Sequence, residues 1–274
     1  MAFLVVAIAA FAAPPVGIAA ELPKWELGAG VFAMRLPDYR GSDEYRNYLL
    51  PLPYVVYRGE RLQLDRRGAT GILFESKRVE LDISANATNP ARSDRNQARE
   101  GMRDLDPTVE LGPRLRLNIL ETPSRSTKLT LELPLRAVFA LDFPRARYIG
   151  WNMNPVLNLD LRNVWGSGWN VGTQAGPVYG DRRYHAYYYE VDSPYARPDR
   201  PAYGARAGYS GTQLSIGVSK RFTSTWVGAF VRAYALHGAA FEDSPLVRSH
   251  SAILAGVGVA YIFAVSGDKV DAEE

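Results

Sequence analysis

Long runs of alternating apolar and polar residues occupy the C-terminal two-thirds of this chain. In the clearest run, the even positions include Lys128, Glu132 and Arg136, and the odd positions are Leu129, Leu131, Leu133, Leu135, Ala137, Phe139 and Leu141. A β-strand places successive side chains on opposite faces. Soluble strands show such alternation over about 4–8 residues, whereas a strand that crosses a bilayer needs roughly 9–11 residues. The length of the run therefore predicts a transmembrane β-barrel that is apolar outside and polar inside.

Segments of this kind extend over almost the whole chain and predict one all-β domain, an antiparallel up-and-down barrel of about 12 strands over residues 21–263. An even strand number places both termini in the periplasm. The predicted strands are 24–36, 49–58, 61–74, 78–87, 106–120, 127–141, 147–162, 168–180, 203–209, 212–222, 225–236 and 250–263.

The composition excludes several other classes of protein. Mean hydropathy is -0.18 although 47% of the residues are hydrophobic, which fits strands that are half polar and not helices with about 20 consecutive apolar residues. Cysteine is absent, which excludes disulfides and thiolate sites. The net charge of +3 comes from interleaved acids and bases, so we expect no nucleic-acid partner. We expect no cofactor and no metal.

Residues 1–20 form the one long apolar run and carry no charge. Small residues precede Glu21, which predicts a secretory signal peptide cleaved near Ala19 or Ala20. Pro14 and Pro15 interrupt the run and argue against a membrane-anchoring helix. We therefore expect the mature chain in the cell outer membrane, in contact with its lipid.

Two polar segments, 88–104 and 181–201, interrupt the strand pattern. The predicted strand count puts both on the periplasmic side, where they could meet periplasmic partners. The second segment contains the candidate partner-binding residues Arg182, Arg183, Tyr184, Tyr187, Tyr188, Tyr189, Tyr195 and Arg197. Tyr and Arg are enriched at interface hot spots, and aromatic faces also bind sugar rings such as those of murein glycan. The alternative is a loop that folds into the barrel mouth as a plug.

The polar faces of the predicted strands define a candidate lumen. Opposite charges on neighbouring strands can pair, which favours a filled interior over a selective channel. The candidate lumen residues are Glu110, Arg114, Arg116, Glu132, Arg136, Asp160 and Arg162.

The three histidines give little support for catalysis. His250 and Ser251 are adjacent, so in a strand they point to opposite faces. His237 lies near Glu242 without a nucleophile at a clear spacing, and His185 lies in the Tyr-rich segment. No His-Glu-x-x-His or Gly-x-Ser-x-Gly motif occurs. We predict that the protein is not an enzyme; the alternative is a barrel enzyme that acts on lipid or glycan.

Four stretches resemble the MipA/OmpV family, named for the MltA-interacting protein. They are Pro37-Asp38-Tyr39-Arg40-Gly41-Ser42-Asp43, Pro51-Leu52-Pro53-Tyr54-Val55-Val56-Tyr57-Arg58, Glu242-Asp243-Ser244-Pro245-Leu246-Val247 and the closing strand from Ala255 to Phe263. The resemblance covers nearly the whole mature chain.

This resemblance implies an outer-membrane barrel that acts as a scaffold between a periplasmic lytic transglycosylase and a murein synthase. Other members are linked to porin-like behaviour, which keeps a small-solute channel as an alternative. The family has no active site to transfer to this chain. The chain departs from the pattern at its end, because residues 264–274 follow the terminal aromatic Phe263. We expect them to form a polar periplasmic tail.

Overall fold

The computed structural model describes residues 21–65 and 68–271; the predicted signal peptide lies outside them. One α-helix, α1 (Arg182–Tyr189), occurs in these ranges, and no helix there is long and apolar enough to span a membrane. The strands are β1 (Glu21–Pro23), β2 (Trp25–Pro37), β3 (Tyr45–Arg58), β4 (Leu62–Asp65), β5 (Gly68–Glu75), β6 (Val79–Thr88), β7 (Thr108–Glu121), β8 (Thr127–Asp142), β9 (Arg145–Met153), β10 (Val156–Leu161), β11 (Trp169–Gly180), β12 (Gly208–Arg221), β13 (Thr225–Ala235), β14 (Ser251–Val265) and β15 (Lys269–Asp271).

The strands from β2 to β14 form one closed antiparallel barrel. Apart from β9 and β10, each strand pairs with its neighbour in sequence, and β14 closes the barrel by pairing with β2. Both β9 and β10 pair with β8 and with β11, so they are two halves of one strand interrupted at residues 154–155. The 13 strands of this sheet therefore make a 12-strand barrel, as the sequence predicts.

Two differences in the strand pattern leave the total number of strands unchanged. The predicted strand 61–74 is a hairpin, β4 and β5, whose turn follows Asp65. The predicted strands 203–209 and 212–222 are one strand, β12. The hairpin adds one crossing before residue 88, and the merger removes one after residue 201.

The hairpin reverses the predicted position of the long polar segments, because it lies before both of them in the chain. We call the end of the barrel that carries both ends of the described chain, residues 21 and 271, and most of the short turns the turn end, and the opposite end the loop end. Segments 88–104 and 181–201 both lie at the loop end. Short turns face the periplasm in outer-membrane barrels, so the loop end is extracellular, and the prediction that both segments lie in the periplasm is wrong.

The alternation read from the sequence decides which side chains face inwards. In β8, Thr130, Glu132 and Val138 are buried, whereas Leu135 and Leu141 on the other face are exposed. Successive side chains point to opposite faces of a strand. The buried, partly polar set is therefore the inner face, and the exposed apolar set faces lipid.

The two ends of the described chain meet at the turn end. The closing strand extends beyond Phe263 to Val265. After a short turn, Lys269–Asp271 pairs with Glu21–Pro23 as a separate sheet of two strands. This part of the tail is thus ordered against the start of the predicted mature chain.

Candidate functional site

One side of the inner wall, formed by β6, β7 and β8, carries a network of opposite charges. Asp82 is fully buried and lies 3.1 Å from Arg114 and 3.4 Å from Arg116. Glu132 lies 3.3 Å from Arg114, and Glu80 lies 2.8 Å from Arg116. Each buried charge therefore has a partner, as burial requires. We call this region the charged wall.

The remaining predicted lumen residues lie around this network. Arg136 donates to Ser84 Oγ at 3.0 Å. Glu110 is buried on β7, and Asp160 accepts from Asn158 at 2.7 Å within β10. Arg162 lies just past the end of β10 and donates to a backbone carbonyl, so it is at the turn end and not in the middle of the barrel.

The opposite side of the inner wall, from β13 through β14 and β2 to β3, is aromatic. The ring centroid of Trp226 lies 6.1 Å from that of Phe32 and 6.2 Å from that of Tyr54. The Phe32 ring covers Gly258, where a Cβ atom would clash with the ring. Glycines thus make room for rings that lie along the sheet. We call this region the aromatic wall.

Four loops of the loop end pack into one hydrophobic core, which we call the cap. They follow β2, β6, β11 and β13 and so come from all sides of the barrel. The rings of Tyr189 and Phe241 stack at 3.6 Å, and Tyr39 Oη donates to the Leu246 carbonyl at 2.7 Å. The buried residues of the cap are Tyr39, Ala91, Leu105, Tyr189, Val191, Leu236, Ala239, Phe241 and Leu246.

Two of the stretches that carry the family resemblance meet in this cap. Gly41 adopts φ 97°, a conformation that glycine tolerates, and its carbonyl accepts from the backbone of Arg248 and Ser249. Ser244 is buried, and its hydroxyl donates to the Tyr189 carbonyl at 2.7 Å. Both stretches therefore hold loops to one another.

The helix α1 presents most of the candidate partner-binding tyrosines to the interior of the cap. Asp181 caps the helix by accepting from Tyr184 N at 2.8 Å, as an N-cap residue does. Tyr184 and Tyr189 are buried, and Tyr187, Tyr188 and Tyr195 pack against the cap core.

The candidate arginines of the same segment lie further out. The Arg182 side chain is mostly exposed, and that of Arg197 lies 3.3 Å from Glu100. Arg183 lies over the ring of Tyr148. Within this segment the tyrosines thus pack into the cap, whereas Arg182 stays exposed.

Burial raises the pKa of the phenols in the cap, to about 12 for Tyr187 and further still for Tyr184 and Tyr189. A phenol in water has a pKa of about 10 and is already neutral at physiological pH, so burial moves the ionisation of these tyrosines further into the alkaline range.

Sequence reasoning missed one buried pair in the cap. His185 Nε2 lies 2.6 Å from Ser210 Oγ, and His185 Nδ1 lies 2.5 Å from the Arg206 carbonyl. The spacing resembles that of a nucleophile and its base, but both side chains are fully buried and out of reach of a substrate. Burial lowers the pKa of His185.

The other two histidines lie at the rim of the loop end. Their rings stack at 5.1 Å. His237 and His250 lie 3.4 Å and 3.5 Å from one oxygen of Glu242. Within residues 21–65 and 68–271, no group of three His, Cys, Asp or Glu residues has an arrangement that could hold a metal ion.

The turn end contains one isolated tryptophan. Trp165 is 98% exposed and adopts φ 54°, next to Asn163 at φ 47°. Asn163 Oδ1 accepts from Gly168 N at 2.8 Å, and Asn163 N donates to Asn170 at 3.0 Å. The turn is therefore held in an uncommon conformation for non-glycine residues that points Trp165 away from the barrel.

Comparison with models of known protein families shows which family this chain belongs to. The family model described as MltA-interacting protein MipA matches residues 27–263, which is all of the barrel except the first two residues of β2 and the last two of β14. The chain belongs to the MipA family. MipA-family membership and the closed barrel together identify it as an outer-membrane β-barrel. No curated protein matches the chain.

Solved structures similar to this MipA-family chain are distant. A bacterial polysaccharide outer membrane secretin has a TM-score of 0.43 and 9% identity, and the match covers 87% of this chain and 99% of that one. An outer membrane channel from Pseudomonas putida F1 has a TM-score of 0.38 and 11% identity over 92% and 100% of the two chains. Outer membrane phospholipase A from Escherichia coli has a TM-score of 0.32 and 10% identity over 88% and 94%. None of these similarities bears on function.

Proposed function

We propose that this protein is a non-enzymatic scaffold that holds periplasmic peptidoglycan enzymes at the outer membrane. The partner class comes from the family description, which names an interaction with MltA, a lytic transglycosylase; a murein synthase is the second partner that the resemblance implies. Because short turns face the periplasm in outer-membrane barrels, a periplasmic partner would bind the turn end.

The exposed Trp165 is the observation that carries this proposal. Tryptophan is among the residues most enriched at binding hot spots. Uncommon backbone conformations of non-glycine residues persist where the surroundings enforce them, and they cluster at functional sites. The Asn163 hydrogen bonds supply that enforcement, so the side chain is presented to a partner without a folding step.

The test measures binding of the purified lytic transglycosylase from the same bacterium to the barrel in detergent. Trp165→Ala should weaken binding at least about tenfold, because a hot-spot aromatic contributes about 2 kcal/mol or more. Phe143→Ala is the matched control, since Phe143 is 96% exposed but lies at the loop end. Equal affinities for wild type and both variants would refute the proposal, whereas a loss with both would indicate a general change in the barrel.

Planar-bilayer conductance separates the scaffold from the channel alternative. The paired charges of the lumen and the packed cap favour a barrel without stable conductance. Ion-selective steps that change when Arg114, Arg116 or Arg136 is neutralised would instead support a channel. For the enzyme alternative, His237→Ala or His250→Ala would have to abolish a lipid or glycan hydrolysis that the folded wild type performs, since both side chains are exposed beside Glu242.

A further inference from the structure

One strand of the barrel has an open edge. On one side, β3 pairs with β2 along its whole length. On the other side it pairs with β4 only at Tyr57 and Arg58, and residues 45–56 have no strand partner there within residues 21–65 and 68–271. The hairpin of β4 and β5 is too short to reach them. A membrane barrel normally closes completely, because each unpaired backbone group in lipid costs several kcal/mol.

Two prolines lie where this edge would otherwise present unpaired donors. Arg58 N donates to the Lys24 carbonyl towards β2, and Gly59 N donates to the Leu62 carbonyl towards β4. The register with β2 is continuous, so the backbone groups of odd-numbered residues face the open side. Pro51 and Pro53 are both odd. Proline has no N–H and is confined to sheet edges for that reason.

The edge of β6 on the other side of the gap also continues beyond its strand partner. The last β6 residue paired with β5 is Ser84, so residues 85–88 lie beyond the hairpin. The backbone carbonyl of Arg78 accepts a hydrogen bond from the backbone N–H of Asn118 on β7. Even-numbered residues of β6 therefore direct their backbone groups to β7, and odd-numbered residues direct theirs to the β5 side. Ala87 N nevertheless has a partner, because it donates to Asn86 Oδ1 at 2.9 Å.

The gap between these edges opens into the lumen. Tyr54 and Val56, on the inner face of β3 near its paired end, are each 3% exposed. Leu52, on the same face beside the open edge, is 44% exposed. Above the gap, the loop around Asn96 and Gln97 is tied to Asp38 and Glu44, which bounds the opening on the extracellular side. We call the gap between 47–55 and 85–88 the lateral window.

The lateral window separates the two kinds of inner wall. The strand β3 ends the aromatic wall, and β6 begins the charged wall. A molecule in the gap therefore meets apolar side chains of β3 on one side and the polar side chains of Asn86 and Thr88 on the other, with the charges of Glu80 and Asp82 further along β6. A polar head next to β6 and an alkyl chain along β3 would satisfy both. The carbonyls of Pro51 and Pro53 point to the open side and have no strand partner there within residues 21–65 and 68–271.

We propose that the lateral window admits an amphiphilic lipid from the bilayer, with its polar head towards the charged wall and an acyl chain against Leu50 and Leu52. The cap occupies the loop end and the gap lies between two strands of the barrel wall, so the membrane itself is the source that the window faces. Strand addition by a second copy of the chain is disfavoured, because Pro51 and Pro53 cannot donate to it.

Site-specific quenching tests this proposal, and the absence of cysteine makes each label unique. The fluorophore bimane is attached to one cysteine per variant, in Leu52→Cys, Leu49→Cys or Ser219→Cys. Each labelled barrel is refolded into phosphatidylcholine vesicles whose brominated acyl chains quench bimane on contact. Leu49 is on the lipid-facing side of β3, and Ser219 is paired on both sides in β12. We expect quenching at residue 52 to match that at residue 49 and to be absent at residue 219. Leu50→Cys serves as a second window position if Leu52→Cys does not fold.

Three results would overturn the proposal. Quenching at residue 52 by aqueous iodide alone would mean that the gap admits only water. Protection from both quenchers would mean that the gap is closed, including closure by β3 of a second copy. Quenching by brominated stearic acid added to unbrominated vesicles, without quenching by brominated lipid, would exclude the bilayer lipid as the occupant. Heat-modifiable gel mobility confirms folding in each case.

Discussion

The charged wall and the aromatic wall face one lumen and fill it by different means. On the charged wall, Asp82 and its neighbours carry full charges that are stable only in the presence of one another. On the aromatic wall, Phe32 and Trp226 fill space that glycines leave free. Alternation thus decides which positions point inwards, whereas stability depends on electrostatic pairing on one side and on shape on the other.

The largest effect should come from removing the central acid of the charged wall. Asp82→Asn removes the fully buried carboxylate that contacts both Arg114 and Arg116 and leaves the partly exposed Glu132 as the acid near both. Breaking a buried pair costs about 3–5 kcal/mol, and we expect a loss towards the lower end of that range. Urea unfolding of the barrel refolded into vesicles measures this loss in the free energy of unfolding. Glu80→Gln is the control, since Glu80 pairs with Arg116 alone and should cost less. Equal losses for the two variants would contradict a network centred on Asp82.

A smaller effect should follow from filling the aromatic wall. Gly258→Ala places a methyl group against the Phe32 ring, and such overpacking costs about 1–3 kcal/mol. Gly217→Ala is the matched control, because the nearest atom to its new Cβ would be 3.7 Å away. Combining Gly258→Ala with Phe32→Leu should recover part of the loss in a double-mutant cycle. Strict additivity of the two changes would show that the ring does not occupy the space above this glycine.

The smallest effect concerns the cap, and it depends on the protonation of His185. Burial lowers the pKa of His185, so its contribution to stability is present above the unfolded value of about 6.5 and is lost as pH falls through the lower folded value. The thermal midpoint of the barrel should decrease on acidification. In His185→Gln this decrease should be reduced, whereas it should persist in His250→Gln, which changes an exposed histidine at the rim. If the thermal midpoint of His185→Gln decreased on acidification by as much as that of the wild type, His185 would not be the cause of the pH dependence.

The barrel was predictable because its signal is local and repeats. Strand β8 alternates over its whole length, and its inner face follows directly from residue parity. The hairpin of β4 and β5 was missed because Leu62, Leu64 and Ile72 continue the apolar pattern across the turn, although Asp65 and Gly68 are common turn residues. That one turn is enough to move both long polar segments, 88–104 and 181–201, to the other end of the barrel, and the merger into β12 restores the predicted order for the loops that follow.

The cap was less predictable because its contacts join distant parts of the chain. The composition of α1 is equally compatible with an exposed binding surface and with a buried core, and only the loops that cover it decide between them. His185 and Ser210 lie 25 residues apart on different elements, so no spacing rule connects them. The helix itself had a local signal in its N-cap residue, Asp181.

The pairing of β1 with β15 has a consequence for how the chain could be rearranged. Glu21 lies opposite Asp271, so a peptide bond or short linker could join the two without crossing the lumen or the lipid. New termini could then be opened in the short connection at 143–144, at the other end of the barrel. Adjacent termini are the condition under which circular permutation is tolerated, and such a permuted chain would display its ends to the outside of the cell instead of the periplasm.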